Sequence, residues 1–304
     1  MEATQKKISL QSTLKSLDTE EFIDIYFYRP IGYFWALLFN KLHVSPNWVT
    51  IAGIIIGVAA GVCFYFSNLK INIFGMLLLV WANSYDSADG QLARMTGKQS
   101  SMGRMLDGLC GVIWFIAIYF AICFRLFPLW GFWIWVLAVT TGFFHSKQAA
   151  MADYYRNIHL FFLKGKAGSE LTDSASLKEN YKKMTWKHDF IDKLFNAYYI
   201  NYTKNQESPT PNFQRLIQLI KEKYPENVPD RFREAFREQS LPLMKYTNML
   251  SFNTRVIALF VALLIDLPWL YFVFELTVLN TMLLYMKTRH EKICKSFSEQ
   301  LMSE

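Results

Sequence analysis

Charged residues are scarce in this sequence, and their scarcity is uneven. Asp, Glu, Lys and Arg make up 19% of the 304 residues, whereas a soluble globular protein has about a quarter. Hydrophobic residues make up 52%, and long stretches carry no charge at all, while the middle third is as charged as a soluble protein. This distribution excludes a wholly soluble globule and predicts a membrane protein with an aqueous appendage.

Cysteine and histidine are also sparse, and their spacing excludes common kinds of site. The four cysteines form neither a Cys-x-x-Cys pair nor a metal-binding spacing, so we expect no disulfide framework. They are Cys63, Cys110, Cys123 and Cys294. We expect four scattered histidines to lie at the surface rather than around zinc. These are His43, His159, His188 and His290. No apolar h-region follows the N-terminus, which predicts no cleaved signal peptide.

Apolar segments long enough for membrane helices predict six spans. They cover about 49–66, 71–82, 103–126, 128–149, 250–265 and 268–286. The apolar segment 31–42 is only about a dozen residues long, which suits a helix lying in the membrane interface. The polar region 153–247 has the pattern of amphipathic helices, with starts near Asp173 and Pro229 and a stop at Pro242. The predicted fold is therefore all-α, with six transmembrane helices, an N-terminal interfacial helix and a helical cytoplasmic insertion.

Lys and Arg lie mainly on one side of these spans. The positive-inside rule therefore places both termini, and the loop between the second and third spans, in the cytoplasm. For the same reason the formal charge of +7 indicates membrane topology rather than nucleic-acid binding. The predicted domains are 1–45 (N-terminus and interfacial helix), 46–152 with 248–290 (membrane core), 153–247 (insertion) and 291–304 (C-terminal tail). We predict an integral protein of a bacterial cytoplasmic membrane.

Carboxylates at membrane depth are costly and are functional candidates by default. Two helices carry them beside small residues, which allow close helix approach. Asp86, Asp89, Gly90 and Ala93 fall at i, i+3, i+4 and i+7, and Gly103, Asp107 and Gly111 at i, i+4 and i+8. The three clustered carboxylates would repel one another unless a cation neutralised them. An all-oxygen site selects Mg²⁺, Mn²⁺ or Ca²⁺, and such an ion would hold a pyrophosphate.

This run closely resembles the signature of the CDP-alcohol phosphotransferase family, Asp-x2-Asp-Gly-x2-Ala-Arg-x8-Gly-x3-Asp-x3-Asp. Seven of its eight fixed residues are present. The six-span layout and the Pro46-Asn47 start of the first span, with Thr50 one turn on, are similar too. The resemblance covers about residues 30–150 and 248–290 but not the insertion. Its style is closest to the phosphatidylinositol-phosphate and phosphatidylglycerol-phosphate synthases.

The resemblance implies a role for each matched residue. Asp86, Asp89 and Asp107 would hold Mg²⁺ or Mn²⁺, Gly90 and Ala93 would leave room for the cytidine and pyrophosphate, and Asn47, Thr50 and Arg94 would contact the substrate. It also implies a homodimer among membrane lipids. The implied reaction is attack by an acceptor hydroxyl on the lipid-side phosphate of a CDP-linked lipid, with release of CMP. CDP-diacylglycerol is the expected donor.

The signature has one gap, because Gly111 stands where the family has its last Asp, usually taken as the catalytic base. Three interpretations stay open. The chain uses another base (Asp153, Tyr85 or His145), it is an inactivated variant, or it is a natural pseudoenzyme. A CDP-lipid-binding protein without activity is therefore the alternative function, and a cation transporter ranks last.

Basic residues near the cytoplasmic mouth predict an anionic acceptor. Lys147 and Arg255 would bind the acceptor, because Arg suits bidentate phosphate contacts. The alternative is that both side chains only extend to the lipid head groups. Inositol phosphate or glycerol phosphate is the first expectation. Glu275, within the sixth span, is expected to form a helix–helix hydrogen bond rather than a proton relay. The insertion is interpreted as a solvated cap, with a lid or partner surface as the alternative.

Overall fold

The computed structural model describes residues 16–99, 101–165, 169 and 171–303, and these ranges contain helices but no strand. The helices are α1 (Arg29–Lys41), α2 (Pro46–Cys63), α3 (Leu69–Thr96), α4 (Ser101–Trp130), α5 (Trp133–Lys164), α6 (Ser174–Lys183), α7 (Phe190–Glu207), α8 (Pro211–Lys223), α9 (Asp230–Met249), α10 (Phe252–Leu264), α11 (Trp269–Phe274) and α12 (Asn280–Ser303). Two π-helical turns, Asp24–Tyr28 and Glu275–Leu279, precede α1 and α12. The N-terminal segment without a predicted signal peptide lies largely outside the described residues.

Local sequence signals explain where the helices that carry the acidic residues begin and end. Pro46 is at the first position of α2, where its missing N–H breaks no hydrogen bond. The side chain of Asn68 caps α3 by accepting hydrogen bonds from the backbone N–H groups of Lys70 and Ile71. Gly97 ends α3 in the left-handed region, with φ at 67°. The two Asp residues of α3 are therefore on one continuous helix.

The chain divides into two compact units. Unit 1 comprises the described residues up to Thr140 together with Val256–Val273, and unit 2 comprises Thr141–Arg255 and the described residues from Phe274 onward. The predicted domain limits differ from this division and remain a prediction.

Unit 1 is held together by close helix packing around α2, α3 and α4. The indole Nε1 of Trp114 on α4 donates a hydrogen bond to the Gly53 carbonyl on α2 at 3.1 Å. A Cβ atom at Gly57 would lie 2.1 Å from the same indole nitrogen. Since no larger residue fits there, the small residues of α2 set its distance from α4.

Unit 2 has an aromatic core to which α5, α8, α9 and α12 contribute. Phe162 stacks on Phe236 with ring centroids 3.8 Å apart, and Phe236 also packs against Phe297. Phe213 and Leu216 of α8 complete the same buried cluster. The insertion predicted as amphipathic helices is thus helical, and α8 and α9 bury their apolar faces within this unit.

Four helical stretches among the described residues are long and apolar enough to cross a membrane. They are Pro46–Cys63, Met105–Trp130, Asp230–Leu264 and Trp269–Ser303. The fold is consistent with a polytopic membrane protein, but six spans are not reached by this measure. The second and fourth predicted spans lie in α3 and α5, whose polar halves lower the mean hydropathy. The count of six remains a prediction.

Three local expectations are wrong. Pro242 does not stop a helix, because α9 continues through it to Met249; the buried residues on both sides of Pro242 offset the roughly 3 kcal/mol cost of an interior proline. Pro128 does not begin a helix but lies in the last turn of α4. His159 and His290 are buried rather than at the surface, because the aromatic core of unit 2 encloses them.

Candidate metal and nucleotide site

The three Asp residues of the signature lie together in unit 1. One carboxylate oxygen from each of Asp86, Asp89 and Asp107 lies within 4.8 Å of the other two. Asp89 is buried at 3% exposure, Asp86 is half-buried and Asp107 is exposed. The predicted proximity of the three side chains is therefore observed. Their exposure to solvent increases from Asp89 through Asp86 to Asp107. Three carboxylate oxygens at this spacing form a donor set that a hard divalent cation prefers.

Thr50 orients the deepest of these carboxylates. Its hydroxyl donates a hydrogen bond to Asp89 Oδ2 at 2.5 Å and also lies 3.2 Å from the carbonyl of Pro46. Thr50 is buried, whereas Asn47, one turn earlier on α2, is half-buried. The start of α2 therefore fixes Asp89 in one orientation, as a ligand in a preorganised site requires.

Arg94 is the cation beside the cluster, and part of its guanidinium lacks a partner. The charges of Arg29 and Glu20 act on Arg94, as do those of Asp107 and Asp89, but its Nε and Nη2 atoms are buried without any hydrogen bond. A Cβ atom at Gly90 would lie 3.4 Å from Arg94 Nη1, so glycine leaves the space beside the guanidinium open. Ala93 is half-buried on the same helix. Unpaired buried N–H groups call for an explanation, and an anionic oxygen of a ligand supplies one.

The place of the missing base is open space. A Cβ atom at Gly111 would have no other heavy atom of the described residues within 4 Å. Gly111 lies one turn after Asp107 on α4, and no neighbouring side chain has taken over its position.

Cys110 belongs to this site, although the spacing of the cysteines did not indicate it. Its thiol lies beside the Asp86 carboxylate. The signal was its position one turn after Asp107, on the face that turns towards α3.

Unit 2 holds a second buried group of polar side chains, centred on Arg255 and Glu275. The two form an ion pair at 2.8 Å, and they are 1% and 0% exposed. Arg255 also donates to Gln148 Oε1 at 2.9 Å and to the Leu250 carbonyl at 3.2 Å. The Nδ1 atom of His145 lies 3.1 Å from Glu275 Oε2.

The predicted helix–helix hydrogen bond of Glu275 is thus confirmed, with partners on two other helices. The guanidinium of Arg255 points into this group, so binding an acceptor would require it to exchange internal hydrogen bonds for ligand contacts. The acceptor role of Arg255 stays a prediction.

The remaining predicted residues are spread over both units. Lys147 is exposed, with Nζ 4.9 Å from the ring centroid of Phe143. Asp153 is half-buried and accepts hydrogen bonds from Asn157 Nδ2 and the Tyr202 hydroxyl. Tyr85, next to Asp86, packs its ring on Trp35 and Phe39. Of the three substitute bases, His145 has its Nδ1 atom between two charged groups, 3.1 Å from Glu275 Oε2 and 3.1 Å from Arg255 Nη1.

Comparison with known proteins agrees with the signature. Residues 43–162 match the sequence model of the CDP-alcohol phosphatidyltransferase family. A 67-residue stretch is 39% identical to an archaetidylinositol phosphate synthase of Pyrococcus horikoshii. That stretch covers 22% of this chain and 34% of the synthase, so the match spans about a third of the relative's length. No solved structure is significantly similar to the chain.

Proposed function

We propose that the chain, which carries a CDP-alcohol phosphatidyltransferase segment at residues 43–162, is a membrane transferase of phospholipid synthesis. It moves a phosphatidyl group from a CDP-linked lipid, CDP-diacylglycerol in the first instance, to an alcohol acceptor and releases CMP. The observation that carries this proposal is the three-carboxylate cluster beside an arginine with unpaired buried N–H groups. In this proposal the carboxylates hold the metal ion, and the arginine binds the phosphate oxygens of the metal-bound diphosphate.

The donor end of the reaction is assigned to unit 1. Mg²⁺ or Mn²⁺, held by Asp86, Asp89 and Asp107, would offset the negative charge of the diphosphate when bound. Arg94 donates its free N–H groups to phosphate oxygens, for which a guanidinium is well suited. Gly90 leaves room beside Arg94 for the nucleotide.

Two further residues belong to the donor site in this proposal, and Ala93 leaves room in it as well. Thr50 holds Asp89 in position, and Asn47, one turn earlier on α2, contacts the nucleotide.

An anionic acceptor fits the basic residues of unit 2. The Pyrococcus relative is named as an archaetidylinositol phosphate synthase. This name supports inositol phosphate ahead of glycerol phosphate as the acceptor. Lys147 is exposed and therefore able to contact an acceptor directly. Arg255 contributes to acceptor binding either by exchanging one internal hydrogen bond or by holding its helix in place. The acceptor KM of an Arg255→Ala variant tests this, and an unchanged KM would remove Arg255 from the acceptor site.

Gly111 leaves the source of the base open, and it favours one specific second function. We propose that donor and metal binding persist while turnover is reduced, with His145 or Asp153 as the substitute base. A chain with no substitute base would bind CDP-lipid and metal without releasing CMP. A cation transporter is less well supported, because Asp86, Asp89 and Asp107 form one cluster instead of a series along the helices.

The membrane arrangement is also part of the proposal. The apolar segments of the sequence predict six spans. The distribution of Lys and Arg places both termini and the site in the cytoplasm, in a bacterial cell. A homodimer is expected from the family resemblance.

The direct test is CMP release by the purified chain. The protein in mixed micelles receives CDP-diacylglycerol, Mg²⁺ or Mn²⁺, and a panel of inositol, glycerol, serine and the phosphates of the first two. CMP formed only with one acceptor and only with metal supports the transferase. Tight metal-dependent binding of CDP-diacylglycerol without CMP release supports the inactive binder instead. Neither binding nor release, in folded protein, contradicts both.

A further inference from the structure

A second cluster of potential metal ligands lies in unit 2, outside the residues assigned above. A ring nitrogen of His290, a carboxylate oxygen of Glu291 and the Sγ atom of Cys294 all lie within 4.8 Å of one another. All three residues are buried, and all three are on α12. His290 and Cys294 are at i and i+4, so they share one face of the helix. Imidazole, thiolate and carboxylate together form a donor set typical of zinc.

The hydrogen bonds within the protein do not use up the polar atoms of this cluster. The thiol of Cys294 lies 3.5 Å from His290 Nδ1. The other ring nitrogen of His290, Nε2, is buried without a hydrogen-bond partner, although the residue is 1% exposed. The ring of Tyr155 packs against the His290 ring, with centroids 4.5 Å apart and the planes tilted by 46°, and its hydroxyl is likewise buried without a partner. Buried polar atoms without a hydrogen-bond partner are rare in a folded core and are a sign of a bound ion or water.

The surroundings of Glu291 also favour a bound cation. This carboxylate is 8% exposed and accepts hydrogen bonds from the backbone N–H groups of Asn212 and Phe213 at the start of α8. Both oxygens of the carboxylate take part in these hydrogen bonds, and Glu291 has no ion pair within 4 Å in the described part of the chain. A divalent cation between Glu291 and a Cys294 thiolate would balance both charges, while His290 would bind as neutral imidazole.

We propose that His290, Glu291 and Cys294 form a structural zinc site in unit 2. The fourth position would be filled by water. Binding replaces the thiol proton by the metal, so each zinc bound releases one proton to solvent. This site is independent of the proposed transferase reaction, and its ion differs from the hard cation expected at the Asp cluster.

The experiment measures retained zinc in the full-length chain, in detergent with excess Mg²⁺ to occupy oxygen sites. Chelator-treated protein is reloaded with Zn²⁺, desalted and analysed for metal by mass spectrometry. We expect about one zinc per chain, as one four-ligand site requires. Cys294→Ser should bind zinc at least about tenfold more weakly, because it loses the thiolate ligand. Cys123→Ser is the matched control, since Cys123 is as deeply buried but is not among these ligands, and it should retain zinc as the parent chain does.

Cobalt gives a second readout that does not depend on a variant folding. In the parent chain Co²⁺ should produce a thiolate-to-metal charge-transfer band, which survives Cys123→Ser and Cys110→Ser and disappears on addition of Zn²⁺. The proposal is overturned if the folded parent chain retains no zinc and shows no such band. It is equally overturned if Cys294→Ser, with an unfolding temperature like that of the metal-free parent chain, binds zinc as tightly.

Discussion

The two units each enclose a group of ionisable side chains, and the groups differ in how their charges are balanced. In unit 2, Arg255 and Glu275 carry opposite charges and are bonded to each other at 2.8 Å, with further bonds to Gln148 and backbone. In unit 1, three carboxylates of like charge lie together beside Arg94, two of whose nitrogen atoms have no hydrogen bond. The first group is complete without a ligand, and the second is not.

This difference separates a structural charge from a functional one. An ionisable residue among apolar helices is a candidate for function by default, yet by itself it cannot distinguish the two cases. Arg255 and Asp89 are almost equally buried. What differs is whether the protein itself satisfies the charge, and on that criterion the Asp cluster is the proposed ligand site.

The largest expected effect is loss of activity without loss of stability at the Asp cluster. Asp89→Asn removes a metal ligand and should lower CMP release by about 10³-fold or more, since a bound metal contributes several kcal/mol. The same change relieves repulsion among carboxylates, so the unfolding temperature should stay equal or rise. Asp192→Asn, at an exposed position of α7, is the control and should alter neither quantity. A marked loss of stability in Asp89→Asn would make the cluster structural.

The opposite pattern is expected in unit 2. Glu275→Gln leaves the guanidinium of Arg255 buried without its counter-ion, which should cost about 3–5 kcal/mol of unfolding free energy. The double change Arg255→Met with Glu275→Met should restore most of that. Asp266→Asn is the control, because its partner Arg125 is buried but Asp266 is 74% exposed, and it should cost less than about 1 kcal/mol. Equal losses in Glu275→Gln and Asp266→Asn, measured by chemical unfolding, would end the comparison.

A smaller gain is expected from restoring the family residue at position 111. Gly111→Asp meets no steric obstacle and should raise CMP release about a hundredfold, at the lower end of the range for general base catalysis. Gly108→Asp, which is also on α4 with open space at its Cβ position, should give no gain. An unchanged rate in Gly111→Asp would mean that the chain already has an effective base.

The smallest effect concerns the hydrogen bond that orients Asp89. Thr50→Val keeps the side-chain shape but removes the hydroxyl, and it should weaken metal-dependent donor binding about tenfold, since a hydrogen bond to a charged group contributes about 1.5 kcal/mol or more. Thr50→Ser keeps the hydroxyl and should bind the donor almost normally. If both variants bind alike, Thr50 does not position Asp89.

The sequence was most informative where the determining interactions are local. The 3.6-residue period placed Asp86 and Asp89 on one face of α3, and Pro46-Asn47 marked the start of α2. Close helix approach is seen at Gly57 of α2, which was not singled out in the sequence. These features need only neighbours along the chain, or the general rule that small residues allow close helix packing.

The sequence was least informative where partners distant in the chain decide. Pro242 was expected to stop α9, but burial of the surrounding side chains carries the helix past it. His290 was expected at the surface, yet Tyr155, Phe213 and Phe236 enclose it. The bond between Arg255 and Glu275 joins residues 20 positions apart across a turn and a second helix, and no periodicity indicates it.

The most direct measurement of the central claim is electron paramagnetic resonance of Mn²⁺ bound to the chain together with CDP-diacylglycerol. If Asp86, Asp89 and Asp107 hold the ion against the donor diphosphate, the spectrum should show hyperfine coupling to phosphorus, and Asp89→Asn should abolish both the coupling and tight Mn²⁺ binding. Mn²⁺ bound without phosphorus coupling, or bound equally well by Asp89→Asn, would contradict the assignment.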